Sequence, residues 1–258
     1  MQLIILAAGK SKRFGRPKQL EEIYDNNTII DYNIKNAAKS QINDIIIVTN
    51  KELENKMKEK YSMKAKLYTS NFKNKTIGNL YTLYSVLDKI NGDFIVINAD
   101  DYYEKSVFEK AKKFLEKRNE NIAVIAYKLK NVLTSNGSVN RGIIKKNRKC
   151  LSDIKETFGI EKIDDYIKDI DENILSKNTL VSMGFYMFRE QIKKDIKEYV
   201  EEAIKNKEYL KKELQLTEFI SKVKCKYNIY VLKTNAKWTG LTFKEDVKDS
   251  YNFFKNKC

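Results

Sequence analysis

The chain has 258 residues, carries 50 Lys and Arg against 35 Asp and Glu for a net charge of +15, and is 42% hydrophobic. That apolar share is too high for a disordered chain, and the length allows a sizeable core. There is no histidine, which excludes a Ser-His-Asp triad, a Cys-His dyad and any His-ligated zinc or haem.

Residues 2–6 (QLIIL) form a short apolar run that reads as a buried strand, followed by a loop over 7–18 (AAGKSKRFGRPK) rich in glycine and basic residues. Helical spacing of Ile29, Ile30, Ile34, Ala37 and Ala38 predicts a helix over 28–39, with Thr28 as its N-cap. A second buried strand follows at 44–49, a helix at 52–61, a short strand at 65–68 and a helix at 79–90. Residues 93–98 (DFIVIN) read as a further buried strand ending at Asp100 and Asp101, then helix at 106–118 and strand at 122–127. In the second half, 136–146 reads as a turn and strand, 181–188 and 227–233 as strands, and 190–206, 210–223 and 242–255 as helices. Strand–helix alternation with continuous apolar strands predicts an α/β fold: a single Rossmann-like domain over 1–258, its largely parallel mixed sheet flanked by helices on both faces. In such sheets ligands bind beyond the carboxyl ends of the strands, where the loop after the first strand and the Asp pair lie.

The lysines are interleaved with Glu and Asp, as on solvated helix faces, so no nucleic-acid partner is expected; a basic cleft would instead attract a polyphosphate. Cys150, Cys225 and Cys258 are few and far apart, which predicts reduced thiols rather than a disulfide framework. The N-terminal apolar run precedes its charges, the reverse of a secretory signal, and no segment is long enough to span a bilayer. A soluble, cytoplasmic protein with no membrane partner is expected, with its oligomeric state left open.

The loop at 6–18 carries the chemistry of a triphosphate site. The strand ends at Ala7 and Ala8, whose small side chains leave room above it, Gly9 admits close approach of a ligand to the main chain, and a turn of successive N–H groups forms an anion-binding concavity. Ser11 adds a hydroxyl donor, and Arg13 and Lys18 add a planar fork and a point charge. The Walker pattern GxxxxGK[ST] is absent. Two carboxylates ending a buried strand repel each other, and a hard divalent cation such as Mg²⁺ is their natural counter-charge. Asp100 is the candidate ligand; Asp101 either joins it or caps the next helix. At 76–85 (TIGNLYTLYS), Gly78 and Asn79 open a helix where amides and a side chain could meet a base or phosphate.

At these residues the sequence resembles the nucleotidyltransferase superfamily that builds nucleotide-activated sugars and alcohols. Residues 6–20 (LAAGKSKRFGRPKQL) fit the serine variant of its signature, LAAGxSxRxGxPKxL. The wording at 78–85 is similar to the phosphocholine cytidylyltransferase branch. The strings at 127–142, 181–188, 213–217 and 237–246 resemble a bacterial branch of sugar-phosphate nucleotidyltransferases, or pyrophosphorylases.

The resemblance implies a GT-A-like nucleotidyltransferase fold, with residues 1–130 mainly binding nucleotide and 131–258 mainly binding acceptor. It implies that Arg13 and Lys18 hold phosphates and stabilise charge at the α-phosphorus. It also implies that Leu6, Ala7, Ala8, Gly9, Lys10, Ser11, Thr76, Gly78, Asn79 and Asp100 contact nucleotide. Arg141 either clamps an acceptor phosphate or is a surface charge, Trp238 either walls that pocket or is a core residue, and Glu156 either accepts from acceptor hydroxyls or is a surface charge. The implied partners are an NTP, CTP or UTP, and a phosphorylated small acceptor, with Mg²⁺ as cofactor. One departure stands out. Trp238 to Thr242 carries no Asp where sugar-type members place a second metal ligand, and Asp246 a turn later is either that ligand or only a helix residue. A catalytically inactive nucleotide-binding homologue is the competing expectation from another class.

Overall fold

The strand Gln2–Ala7 is apolar at nearly every position and buried along its whole length, so it lies inside the sheet rather than at an edge. In the computed structural model, which describes residues 1–70 and 78–257, Lys66–Ser70, Asp44–Asn50, Gln2–Ala7 and Phe94–Asn98 run side by side and parallel. The register aligns Leu6 with Val48 on one side and Asn98 on the other. The backbone N–H of Ala99 donates to Leu6 O at 3.1 Å. The first strand therefore ends beside the start of the Asp100–Asp101 step.

The second half is woven into the sheet rather than laid along it. Leu180–Phe188 inserts antiparallel between Phe94–Asn98 and Ile122–Lys128, and Ile229–Lys233 continues parallel to the latter. Alternate residues of the first strand feed two cores. Leu3, Ile5 and Ala7 pack with side chains of the helices Ile29–Lys39, Glu54–Tyr61 and Lys105–Lys117. Ile4 and Leu6 pack with Gly78–Tyr84, Ile192–Lys205 and Leu216–Val223. Helices on both faces of a mixed sheet agree with the α/β expectation.

Several local expectations shift. The strand Cys150–Ile163 was not legible because irregularities between Leu151 and Asp153 and between Thr157 and Ile160 break its two-residue period. The helix expected at 210–223 begins only at Leu216, whose N–H is taken by the Asn79 side chain at 2.7 Å. Asp101 caps no helix. It opens the short strand Asp101–Tyr103, paired with Trp238–Gly240, and the following helix has Glu104 at its N-cap position. Cys150 and Cys225 are free thiols; Cys258 lies outside the described residues.

A third cluster, formed by Phe14, Ile23, Ile29, Tyr102, Leu241 and Phe254, holds the loop after the first strand against the closing helix Asp246–Lys255. Phe14 is completely buried, a contribution of about 2 kcal/mol by area. The loop that carries Arg13 and Lys18 is thus anchored at its middle.

Thr28 and Asp31 form a reciprocal capping box at the start of Ile29–Lys39, and Lys64 Nζ donates to Asp31 Oδ1 at 2.7 Å. Burial alone would raise the Asp31 carboxyl, but the bonds from Lys64 and Thr28 outweigh it and hold the group below its ordinary 3.8. A depressed folded-state value stabilises the protein above the unfolded value and loses that contribution as pH falls through the folded one. Asp31→Asn should cost about 1–2 kcal/mol at pH 7. Urea unfolding as a function of pH should show that gap closing in acid.

Candidate active site

Beyond the carboxyl ends of Gln2–Ala7 and Phe94–Asn98 lies a cleft of 470 Å³. Leu6, Ala8, Gly9, Lys10, Ser11, Arg13, Lys18, Gly78, Asn79 and Asp100, all singled out from the sequence, line it. Ala7 does not: its side chain is wholly buried in the core below. Thr76 lies outside the described residues.

The glycine turn is built differently from expectation. Gly9 keeps an ordinary backbone conformation; the left-handed positions of the loop are Ser11, at φ 52°, and Gly15, at φ 79°. Ser11 O receives the N–H groups of Phe14 and Gly15 at 3.1 and 2.9 Å, which closes the turn. The Ser11 hydroxyl donates to Gln19 Oε1 at 3.1 Å, and Gln19 Nε2 donates to Gly9 O at 2.7 Å. In this conformation Ser11 therefore braces the turn instead of offering its hydrogen to a ligand. Gln19, almost fully buried, is the brace that sequence reading passed over.

Lys18 forms an ion pair with Asp100, and its Nζ also donates to Leu241 O at 3.0 Å. The Arg13 guanidinium lies 5.7 Å from the centroid of the Phe243 ring, at the opposite end of the same short segment. The cations of the N-terminal loop thus rest on residues more than two hundred positions away, a relation invisible in sequence. The cleft is completed by Lys12, Phe14, Gln19, Thr82, Asn98, Ala99, Glu213, Gln215 and Thr242, none of them anticipated individually. Glu213, Gln215 and Thr242 belong to the second half, so the division at residue 130 does not separate the walls of this cleft.

Gly78 fits because nothing larger does. Its φ is +75°, and a Cβ there would stand 2.2 Å from Leu214 O. The Leu80 N–H donates to that oxygen at 3.0 Å, and Asn79 Oδ1 accepts from Leu216 N. Asn79 thereby ties its helix start to the segment that carries Glu213 and Gln215.

Asp101 is committed to protein partners. Its Oδ1 accepts from Trp238 Nε1 and its Oδ2 from Asn98 Nδ2, both at 3.0 Å. Burial, then the neighbouring Asp100 charge, pushes its carboxyl up to about 6. Arg141, whose guanidinium stacks over the Trp238 ring at 5.1 Å, donates to Asn140 O and Val132 O at 3.0 and 2.9 Å. Its Nε is buried with no hydrogen-bond partner among the described residues. Burial lowers the Arg141 pKa against the opposing pull of Asp101, Glu156 and Asp100, and burial raises that of Glu156. The residues read as acceptor-binding thus form one electrostatic group beside the cleft, although none of them lines it.

Asp246 is no second metal ligand in this arrangement. Its carboxylate accepts four hydrogen bonds, from Thr134 Oγ1, Asn136 Nδ2 and the N–H groups of Thr242 and Phe243, which uses its acceptor capacity. Among the described residues no group of three or more Asp, Glu, Cys or His is placed to hold a metal ion.

The family model described as Nucleotidyl transferase matches residues 2–239. The chain belongs to the nucleotidyl transferase family. This nucleotidyl transferase is an enzyme of the nucleotide-transferring class. Its fold is similar to a chain from Bacillus anthracis provisionally assigned as a glucose-1-phosphate thymidylyltransferase, at 14% identity and TM-score 0.71, covering 98% of this chain and 94% of that one. It is also similar to the inositol-1-phosphate CTP transferase from T. maritima, at 16% identity and TM-score 0.69, covering 98% and 96%. A third similar structure is the CTP:phosphocholine cytidylyltransferase from Streptococcus pneumoniae, at 18% identity and TM-score 0.67, covering 98% of each chain. These likenesses concern the fold. Among curated proteins there is no significant sequence match. No helix among the described residues is long and apolar enough to cross a membrane.

Proposed function

We propose that this nucleotidyl transferase moves a nucleoside monophosphate from CTP or UTP to the phosphate of a small acceptor, first of all a sugar 1-phosphate, with release of pyrophosphate. The observation that carries the reading is one cleft lined by the glycine turn, Arg13, Lys18 and Asp100. An acceptor phosphate oxygen attacks the α-phosphorus in line; its bond to phosphorus forms as the α–β bridging bond breaks, and pyrophosphate departs. A phosphate nucleophile is already ionised at neutral pH, so a chain without histidine needs no general base here.

The donor set suits Mg²⁺ carried in with the nucleotide. Two carboxylates, Asp100 and Glu213, line the cleft, Asp100 being the one paired with Lys18, and Mg²⁺ commonly binds through one or two carboxylates plus substrate phosphates. When bound, the ion supplies neutralisation of the triphosphate charge. Lys18 and Arg13 hold phosphate oxygens and stabilise charge that grows toward the transition state. The base sits by the Gly78–Asn79 helix start. The buried Nε of Arg141, without a partner among the described residues, favours an anionic acceptor group on that side. We read residues 1–258 as one domain in which the second half contributes to both substrates.

A phosphorylated alcohol or amino alcohol is the second reading for the acceptor. It is favoured by the lack of a carboxylate in Trp238–Gly240 and by the commitment of Asp246 to four protein donors. Pyrophosphate release should require one NTP, one phosphorylated acceptor and Mg²⁺ together when NTPs are crossed with sugar phosphates and phosphorylated alcohols. Release that proceeds equally with Mg²⁺ removed by chelation would overturn the role given to Asp100.

A further inference from the structure

The segment 241–243 touches Lys18, Asp100 and Arg13 of the cleft. Leu241 O accepts from Lys18 Nζ at 3.0 Å, and Leu241 N donates to Asp100 O at 2.9 Å. Phe243 carries the ring beneath the Arg13 guanidinium, and Thr242 lines the cleft itself. This segment has little regular structure of its own: the strand Trp238–Gly240 has ended and the helix starting at Asp246 has not begun.

What fixes it is Asp246. Its carboxylate Oδ2 accepts the N–H groups of Thr242 at 2.7 Å and Phe243 at 2.8 Å. Its Oδ1 accepts from Thr134 Oγ1 and Asn136 Nδ2, both at 2.8 Å. The residue is 4% exposed. Hydrogen bonds to an ionised acceptor are roughly twice as strong as neutral ones, and two adjacent N–H groups on one oxygen leave the backbone little freedom. The loop that supplies Thr134 and Asn136 also leads into Arg141, so one carboxylate joins the acceptor-side loop to the segment under both cations.

We infer that Asp246 is a positioning residue that fixes Lys18 and Arg13 for gripping a triphosphate. It rests on the reading of the cleft given above. Asp246 does not line the cleft; it acts through Leu241 O and the Phe243 ring. No carboxylate stands within Trp238 to Thr242, and the one that follows, Asp246, is taken up by two backbone N–H groups and the Thr134 and Asn136 side chains.

The test is calorimetric binding of inorganic tripolyphosphate with Mg²⁺ to the full chain, which does not depend on the base or acceptor. Asp246→Asn removes the negative charge and sets an amide N–H₂ against two of the four donors. It should weaken binding by about fivefold or more while circular dichroism still shows a folded protein. In combination with Lys18→Ala, the loss should be clearly smaller than the product of the two single losses, because both act through the same cation. A purely structural effect predicts losses that multiply. Multiplying losses, or unchanged binding in folded Asp246→Asn, would overturn the inference and leave the cleft reading intact. No binding by the unaltered protein would remove the cleft reading itself. Should Asp246→Asn not fold, Phe243→Leu carries the same cycle with Arg13→Ala, since it leaves all four bonds to Asp246 in place.

Discussion

Lys18→Ala should lower kcat by roughly a hundred- to a thousandfold while leaving the protein folded, the size of loss expected when one preorganised donor is removed from developing charge. The side chain is held at the cleft by Asp100 and Leu241 O, so its ammonium is positioned before a substrate arrives. Its ion pair is partly exposed and contributes about 1 kcal/mol or less to stability, so the melting point should move little. Lys18→Arg should not restore the activity, because a planar fork cannot replace a compact ammonium seated between a carboxylate and a carbonyl. Steady-state pyrophosphate release and thermal melting, measured on the same preparations, separate the two effects. A large fall in melting temperature with kcat preserved would contradict this role.

Gly78→Ala should be the most disruptive single methyl in the chain. The left-handed conformation alone costs about 1–2 kcal/mol for a residue with a Cβ. The added atom would also stand 2.2 Å from Leu214 O, a backbone atom held in place by the Leu80 N–H. Relief requires moving the segment that brings Glu213 and Gln215 to the cleft. Gly92→Ala is the control: its φ is +77° but nothing lies within 4 Å of the added Cβ. Gly92→Ala should lose only the conformational part and bind Mg²⁺–nucleotide normally. Gly78→Ala should lose about 3 kcal/mol or more in urea unfolding, together with nucleotide affinity. Equal losses in the two variants would contradict the packing argument.

The fold was legible where the physics is local. Continuous apolar strands such as Gln2–Ala7 and Phe94–Asn98 declare themselves by composition, and the Thr28 cap by residue type and position. The strand Cys150–Ile163 escaped because bulges disrupt its alternation. The Leu216 helix start escaped because a distant Asn79 sets it.

The candidate site divides in the same way. Gly9, Arg13, Lys18 and Asp100 stand out because their chemistry follows directly from their type and from the strand ends that carry them. Gln19, Thr242 and Asp246 matter through partners brought close only by the fold. Asp101 read as either a metal ligand or a helix cap, yet Trp238 and Asn98, one of them far off in sequence, already satisfy both its oxygens. Asp246 shows the same limit from the other direction: the sequence displays a carboxylate near the expected metal position, and only the geometry shows four protein donors on it.

One cleft is proposed to hold a triphosphate between the glycine turn and Asp100. A crystal structure with CTP or UTP and Mg²⁺ tests it most directly. Triphosphate oxygens should lie against the 9–13 backbone and the Lys18 ammonium, with the metal on Asp100. A nucleotide bound elsewhere, with that turn empty and Asp100 still paired to Lys18, would contradict it.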